Sequence, residues 1–112
     1  MERDQIVYDD FARIEMRIGE IVEVLPFPRA RNPAYKVAVK FGDIGVKWSS
    51  AQITRYTAED LLGRHVVCVV NMPPRNIAGF QSEILIMGAS NDQDEVVLLQ
   101  PESAVLAGGE VF

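Results

Sequence analysis

Asn71-Met72-Pro73-Pro74-Arg75-Asn76-Ile77-Ala78-Gly79-Phe80-Gln81-Ser82-Glu83 is a polar, proline-broken stretch set between two strongly apolar runs. Before it, His65-Val66-Val67-Cys68-Val69-Val70 is β-branched and long enough for a buried strand; after it, Ile84-Leu85-Ile86-Met87 reads the same way. The stretch is therefore predicted to connect two core strands. Pro73 and Pro74 have no N–H to donate and fix φ, so ladder pairing should stop there and the neck should be stiff. Such a neck holds Arg75 out from the body. Gly79 permits a tight bend, and Asn71, Asn76, Gln81 and Ser82 supply more donors and acceptors than a plain turn needs. One cation among several amides and hydroxyls on a rigid loop suits phosphate or base recognition. A well-ordered turn with a solvated arginine fits the same residues.

Working outward, the segment from Ser82 to Ala89 is read as one strand, and Val96-Val97-Leu98-Leu99 as the last. Between them, Ser90-Asn91-Asp92-Gln93-Asp94-Glu95 is a solvated acidic turn without the spacing of an EF-hand loop. Beyond Pro101 an extension over about 101–112 carries Val105, Leu106, Val111 and Phe112, which want a surface to lie on. Either it folds back or it joins two subunits. Upstream, Thr57 to Gly63 reads as a short capped helix with its acids in the first turn. Ser49-Ser50-Ala51-Gln52-Ile53-Thr54 follows a predicted strand, where its small polar groups can bind a ligand or cap backbone. Tyr35, Val37, Val39 and Phe41 alternate with Lys36, Ala38 and Lys40, a half-buried strand whose outer face, with Lys47 of the next strand, would be cationic. Phe27-Pro28-Arg29-Ala30-Arg31-Asn32-Pro33 is the densest basic segment, and a phosphate-contacting loop and a solvated surface loop fit it equally. The first strand starts at Met16, with a bend or bulge expected near Gly19. Ahead of it, Tyr8 to Ile14 reads as a helix of one or two turns (about 8–14), capped by Asp9 or Asp10 and dependent on Phe11 and Ile14 for packing.

A chain of 112 residues makes a single domain, 1–112, able to bury roughly two-thirds of its unfolded surface. Five or six short strands, a small helix between strands and glycine-containing bends predict an all-β fold: a five-stranded Greek-key barrel of the OB type with short helices and N- and C-terminal extensions. The single cysteine, Cys68, lies inside an apolar run and reads as a packed thiol in a reducing compartment. The charged N-terminus and the absence of a long apolar run predict a cytoplasmic protein without membrane insertion. One histidine and no clustered ligand or nucleophile spacing argue against a metal site, a cofactor or an enzyme. Net charge is −5, yet all eleven Lys and Arg fall within residues 1–75, whereas 76–112 hold six acids and no base. Because exposed charges more than about 8 Å apart are largely screened, a local basic patch can bind phosphate despite the acidic tail.

Arg17-Ile18-Gly19, Phe27-Pro28 with Ala34-Tyr35-Lys36, Ser49-Ser50-Ala51-Gln52-Ile53, the long central motif Asn71 to Glu83, and Leu98-Leu99-Gln100-Pro101 together resemble the CsaA family, over about Phe11 to Gly109. CsaA proteins are small dimeric relatives of the tRNA-binding domain appended to methionyl- and phenylalanyl-tRNA synthetases. The resemblance implies an OB-fold barrel, a homodimer built from the N-terminal helix and C-terminal extension, and no catalysis. It implies two candidate roles: a chaperone for secretory precursor proteins working with the SecA export motor, and structure-dependent tRNA binding. For tRNA, Arg29, Arg31, Arg75 and Lys36 would meet phosphate, Asn71, Gln52 and Ser82 would reach 2′-hydroxyls or exposed bases, and Phe80, Trp48 or Tyr56, each of which also reads as core, would be the few platforms for base stacking. For precursors, a seam containing Phe11, Phe80, Met72 and Met87 would supply an adaptable apolar groove. The chain departs from the family's pattern in having Ile77-Ala78 where many relatives carry Met-Arg, and Leu85 where a methionine is frequent.

Overall fold

The computed structural model describes residues 2–112. Its elements in order are α1 (Tyr8–Ala12), β1 (Met16–Pro26), β2 (Tyr35–Lys40), a 3-10 turn (Gly42–Ile44), β3 (Val46–Ala51), α2 (Ala58–Leu61), β4 (His65–Val69), β5 (Arg75–Ile77), β6 (Phe80–Ser82), β7 (Leu85–Ile86), β8 (Gly88–Ser90), β9 (Val96–Leu98) and β10 (Glu110–Val111). The main sheet runs β3-β2-β1-β4-β7, antiparallel throughout, with β10 also on β1. It curls into a nearly closed five-strand barrel of OB-like form. β1 makes this possible by serving two half-sheets: Met16–Glu20 pair with β4, and Glu20–Pro26 pair with β2.

The irregularity in β1 falls between Ile21 and Glu23, just past Gly19, near which a bend or bulge was expected. There Ile21 exchanges backbone hydrogen bonds with Gly63 and Arg64, the residues leaving α2. Gly19 has a different reason to be glycine. A Cβ there would collide with the Val39 side chain and stand 2.6 Å from the Phe41 ring, so its missing side chain lets β1 pack onto β2. The core inside the barrel comprises Ile21, Val37, Val39, Phe41, Ala51, Ile53, Leu61, Val66, Cys68, Ile84 and Leu98. Burial pushes the Cys68 thiol up to about 12, which keeps it neutral and unreactive.

α2 is capped as anticipated, the Thr57 hydroxyl accepting from the Asp60 N–H at 3.1 Å. α1 is shorter than expected, and its N-cap is Val7 rather than an aspartate; the Asp10 carboxylate instead reaches back to the Val7 N–H. It buries no residue, and Phe11 is only half-buried against Tyr8. The extension folds back on its own chain: β10 pairs with Met16 and Arg17, and the Arg17 guanidinium donates to the Gly108 carbonyl at 2.8 Å. Leu106 and Phe112 stay exposed. Among the described residues no helix is long and apolar enough to cross a membrane, and no three His, Cys, Asp or Glu cluster as metal ligands would.

Candidate nucleic-acid interface

The central stretch is not a plain loop. Pairing lapses at the two prolines as expected, but resumes at once in the hairpin β5–β6, with Arg75 opposite Ser82 and Ile77 opposite Phe80. The turn residues Ala78 and Gly79 both have positive φ (49° and 85°), the geometry that matches strand twist in a two-residue hairpin. The Asn76 carboxamide accepts from the Gly79 N–H and steadies it. The strand anticipated over Ser82–Ala89 is likewise divided, because β7 pairs with β4 whereas β8 pairs with β9.

Side chains fasten this hairpin to the barrel. The Ser82 hydroxyl accepts from the Ser50 N–H at 3.0 Å, the Glu83 Oε1 accepts from the Trp48 N–H at 2.8 Å, and the Glu83 N–H donates to the Trp48 carbonyl at 2.8 Å. The Ser49 hydroxyl donates to the Ile84 carbonyl. Of the two readings left open for the serine pair, the Ser49 hydroxyl takes the structural one, reaching from β3 to the Ile84 carbonyl, whereas Ser50 gives its backbone N–H to Ser82 and lines the cleft that holds Arg75. Asn71 is similarly engaged: its Oδ1 accepts from the Glu15 N–H and its Nδ2 donates to the Arg13 carbonyl, tying the end of α1 to the end of β4.

Three clefts adjoin the hairpin: one is lined by Leu25, Lys36, Trp48, Phe80, Gln81 and Glu83, and two others carry Arg29 and Arg75. In the first of those two, of about 270 Å³, Arg29 and Lys36 meet Phe27, Pro28, Ala78, Gly79 and Phe80. Here Lys36 Nζ lies 4.9 Å from the Phe27 ring centroid and 5.1 Å from that of Phe80, and these rings meet edge to face at 5.5 Å. Two aromatic faces hold the ammonium, each worth roughly 0.5–1 kcal/mol at a partly exposed site. Less side-chain entropy is then lost when an anion binds. The other cleft, of about 240 Å³, brings Arg75, Ser82, Ser50, Met72 and Glu83 together. Arg31 is exposed further along the Arg29 loop. Among the described residues Arg29, Arg31, Lys36 and Arg75 have no carboxylate partner.

Other expected residues lie apart. Gln52 lines a separate cleft with Thr54, Arg55 and Glu95, where the Arg55 guanidinium stands 3.7 Å from the Glu95 carboxylate. The wholly cationic sheet face is not found: Lys40 pairs across from Glu20 and Ala38 from Glu23, while Lys47 lies opposite Val39, on the other side of the pleat from Lys36. Tyr56 is occupied by the guanidiniums of Arg55 and Arg64, each 4.8 Å from its ring centre. Phe80 lines both clefts that hold Lys36, whereas Met72 also borders a further cleft beside α1 with Asp10, Arg13, Ile14 and Leu85. Phe11 and Met87 are half-buried elsewhere, so the four apolar residues do not line one groove. Sequence reasoning missed Phe27 as a partner of Lys36. A lone aromatic between Pro26 and Pro28 in a basic loop was the available signal.

Residues 16–110 match the family model described as "Putative tRNA binding domain". The crystal structure of the CsaA chaperone protein from Picrophilus torridus is similar at 45% identity and a TM-score of 0.91, over 96% of this chain and 100% of that one. The chaperone CsaA of Bacillus anthracis is similar at 42% identity, also with a TM-score of 0.91, over 97% and 100%. Methionine–tRNA ligase of Pyrococcus abyssi is 36% identical over 107 residues, which are 95% of this chain but 14% of the ligase. The chain thus spans about one-seventh of the length of the curated relatives it matches, and the likeness is to one domain of those enzymes. With a tRNA-binding-domain match along nearly its whole described length and full-length likeness to two CsaA structures, the chain belongs to the CsaA-like tRNA-binding family.

Proposed function

We propose that the protein binds tRNA, without transforming it, through the face formed by the β5–β6 hairpin and the loop between β1 and β2. The observation that carries this reading is the group of unpaired cations around the hairpin, with Lys36 held between Phe27 and Phe80 and Arg29 lining the same cleft. Arg29, Arg31, Lys36 and Arg75 meet phosphates, the contacts that dominate affinity for nucleic acid. Ser82 and Asn71 act chiefly by holding the hairpin and its approach in place, and Gln52 makes an outlying polar contact. The family match over residues 16–110 is to a domain described by what it binds, which supports binding alone.

A second reading is favoured by one observation, a largely apolar cleft of about 400 Å³ with Leu25, Trp48 and Phe80 in its walls. It suits an apolar side chain of an unfolded precursor polypeptide, in keeping with the chaperone name of the CsaA relatives; cooperation with SecA belongs to this reading. The exposed apolar Tyr8, Ile14, Met72 and Leu85 support a homodimer seam beside α1. The test is anisotropy of labelled tRNA at two salt concentrations, for the wild type and Arg75→Ala, with an unlabelled precursor peptide as competitor. Salt-sensitive binding weakened by Arg75→Ala is expected. Peptide binding with no tRNA binding at low salt would replace the first reading with the second.

A further inference from the structure

We infer that the cleft lined by Leu25, Lys36, Trp48, Phe80, Gln81 and Glu83 receives one unstacked nucleobase, and that Glu83 selects guanine there. This rests on the RNA-binding reading and adds to it a base-reading site, which shares Lys36 with the phosphate contacts.

The walls suit a flat heteroaromatic ring. Trp48 and Phe80 have centroids 6.2 Å apart and planes at 87°, so they make a corner in which a base lies against one ring and meets the other edge-on. Leu25 supplies apolar surface. Lys36, already fixed over the Phe80 ring, stands at the rim, where it can meet the phosphate of the same nucleotide.

The polar groups are few and fixed, as specificity requires. Glu83 is bound to the backbone of Trp48 in both directions, its carboxylate accepting from the N–H and its own N–H donating to the carbonyl. The carboxylate therefore has a set position relative to the Trp48 backbone, from which the indole projects into the same cleft. Its Oε2 has no partner among the described residues, and Oε1 keeps a lone pair beyond the one taken by Trp48. A carboxylate offers acceptors only. Guanine is the base whose Watson–Crick edge presents two adjacent N–H donors, N1–H and N2–H, to such a group. Adenine, cytosine and uracil each set a ring or carbonyl lone pair beside their donor, which a carboxylate repels. The exposed Gln81 carboxamide adds a donor able to reach a guanine O6.

Trp48 is the only tryptophan, so its fluorescence reports on this cleft. The full chain is titrated with the pentanucleotides UUGUU, UUAUU, UUCUU and UUUUU, following Trp48 quenching and the anisotropy of end-labelled RNA. UUGUU should quench Trp48 and bind at least about fivefold tighter than the other three, the lower range for a bidentate base contact at a partly exposed site. Glu83→Gln keeps an oxygen for the Trp48 N–H and should reduce the preference below about twofold. If it melts early, Gln81→Ala, which touches none of the ties to β3, decides: weaker UUGUU binding supports the site and unchanged binding removes it. Equal affinity for the four RNAs, or a guanine preference that survives in folded Glu83→Gln, overturns the inference. Salt-sensitive tRNA binding without Trp48 quenching by any pentanucleotide would refute this cleft and leave the tRNA reading standing. Guanine-selective quenching without tRNA binding would do the reverse.

Discussion

Ser82→Ala tests whether the central hairpin owes its position to the barrel. Ser82 is buried, and its hydroxyl accepts the Ser50 N–H at 3.0 Å, one of the ties between β6 and β3. Alanine keeps the strand but leaves the half-buried Ser50 N–H without an acceptor, at a cost of about 1–2 kcal/mol. Unfolding entropy near 2.1 cal/mol/K per residue, over 112 residues, converts that into a drop in Tm of roughly 4–8 °C. Calorimetric melting of wild type and variant measures the loss, and hydrogen exchange at the Ser50 amide localises it. Affinity for tRNA should fall in parallel, because Arg75 lies directly across from Ser82 and moves with it. If Tm changes by less than about 1 °C and Ser50 keeps its protection while tRNA affinity still drops, Ser82 touches the ligand itself and the anchoring argument is wrong.

Gly19→Ala should destabilise by about 1–3 kcal/mol or more, since its methyl would overlap Val39 and Phe41 in the core; a denaturation midpoint within error of wild type would refute the close-packing account. Cys68 carries a pH signature: its thiol rises from 9.0 to about 12 on folding, so above pH 9 the unfolded chain loses a proton that the native state keeps. Stability is therefore fully present below pH 9 and lost as pH climbs toward 12, by about 1 kcal/mol between pH 9 and 10, and urea melts of wild type and Cys68→Val should differ in that slope. If Arg29, Arg31, Lys36 and Arg75 all meet phosphate, tRNA affinity should fall roughly 50- to 150-fold between 50 and 200 mM salt. Each single alanine variant should then lower the log–log slope by about one, and a residue whose removal leaves the slope unchanged is not a phosphate contact.

Much of the fold was legible in the sequence because it rests on local physics. The alternation from Tyr35 to Phe41, the run His65 to Val70 and the Thr57 cap each declare an element through side-chain period or a single hydrogen bond, and the structure places β2, β4 and α2 there. The basic loop and Arg75 were legible too, since proline and glycine punctuate the chain and no acid neighbours those cations. The short strands of the central stretch were not. Three-residue strands carry too little period to read, and β5–β6 exists because Ala78 and Gly79 reverse the chain while Ser82 and Glu83 find partners on β3, more than thirty residues away. Strand register, which sets Lys47 on the opposite face from Lys36 and Glu20 beside Lys40, is a relation between strands that no one strand encodes. The sequence alone thus determined a small barrel with a polar, cationic connection. Only the tertiary structure decided that Phe27 and Phe80 hold Lys36, that Asn71 and Ser82 work as fasteners, and that Trp48, Gln81 and Glu83 share a cleft, because each of these depends on contacts made when distant strands meet.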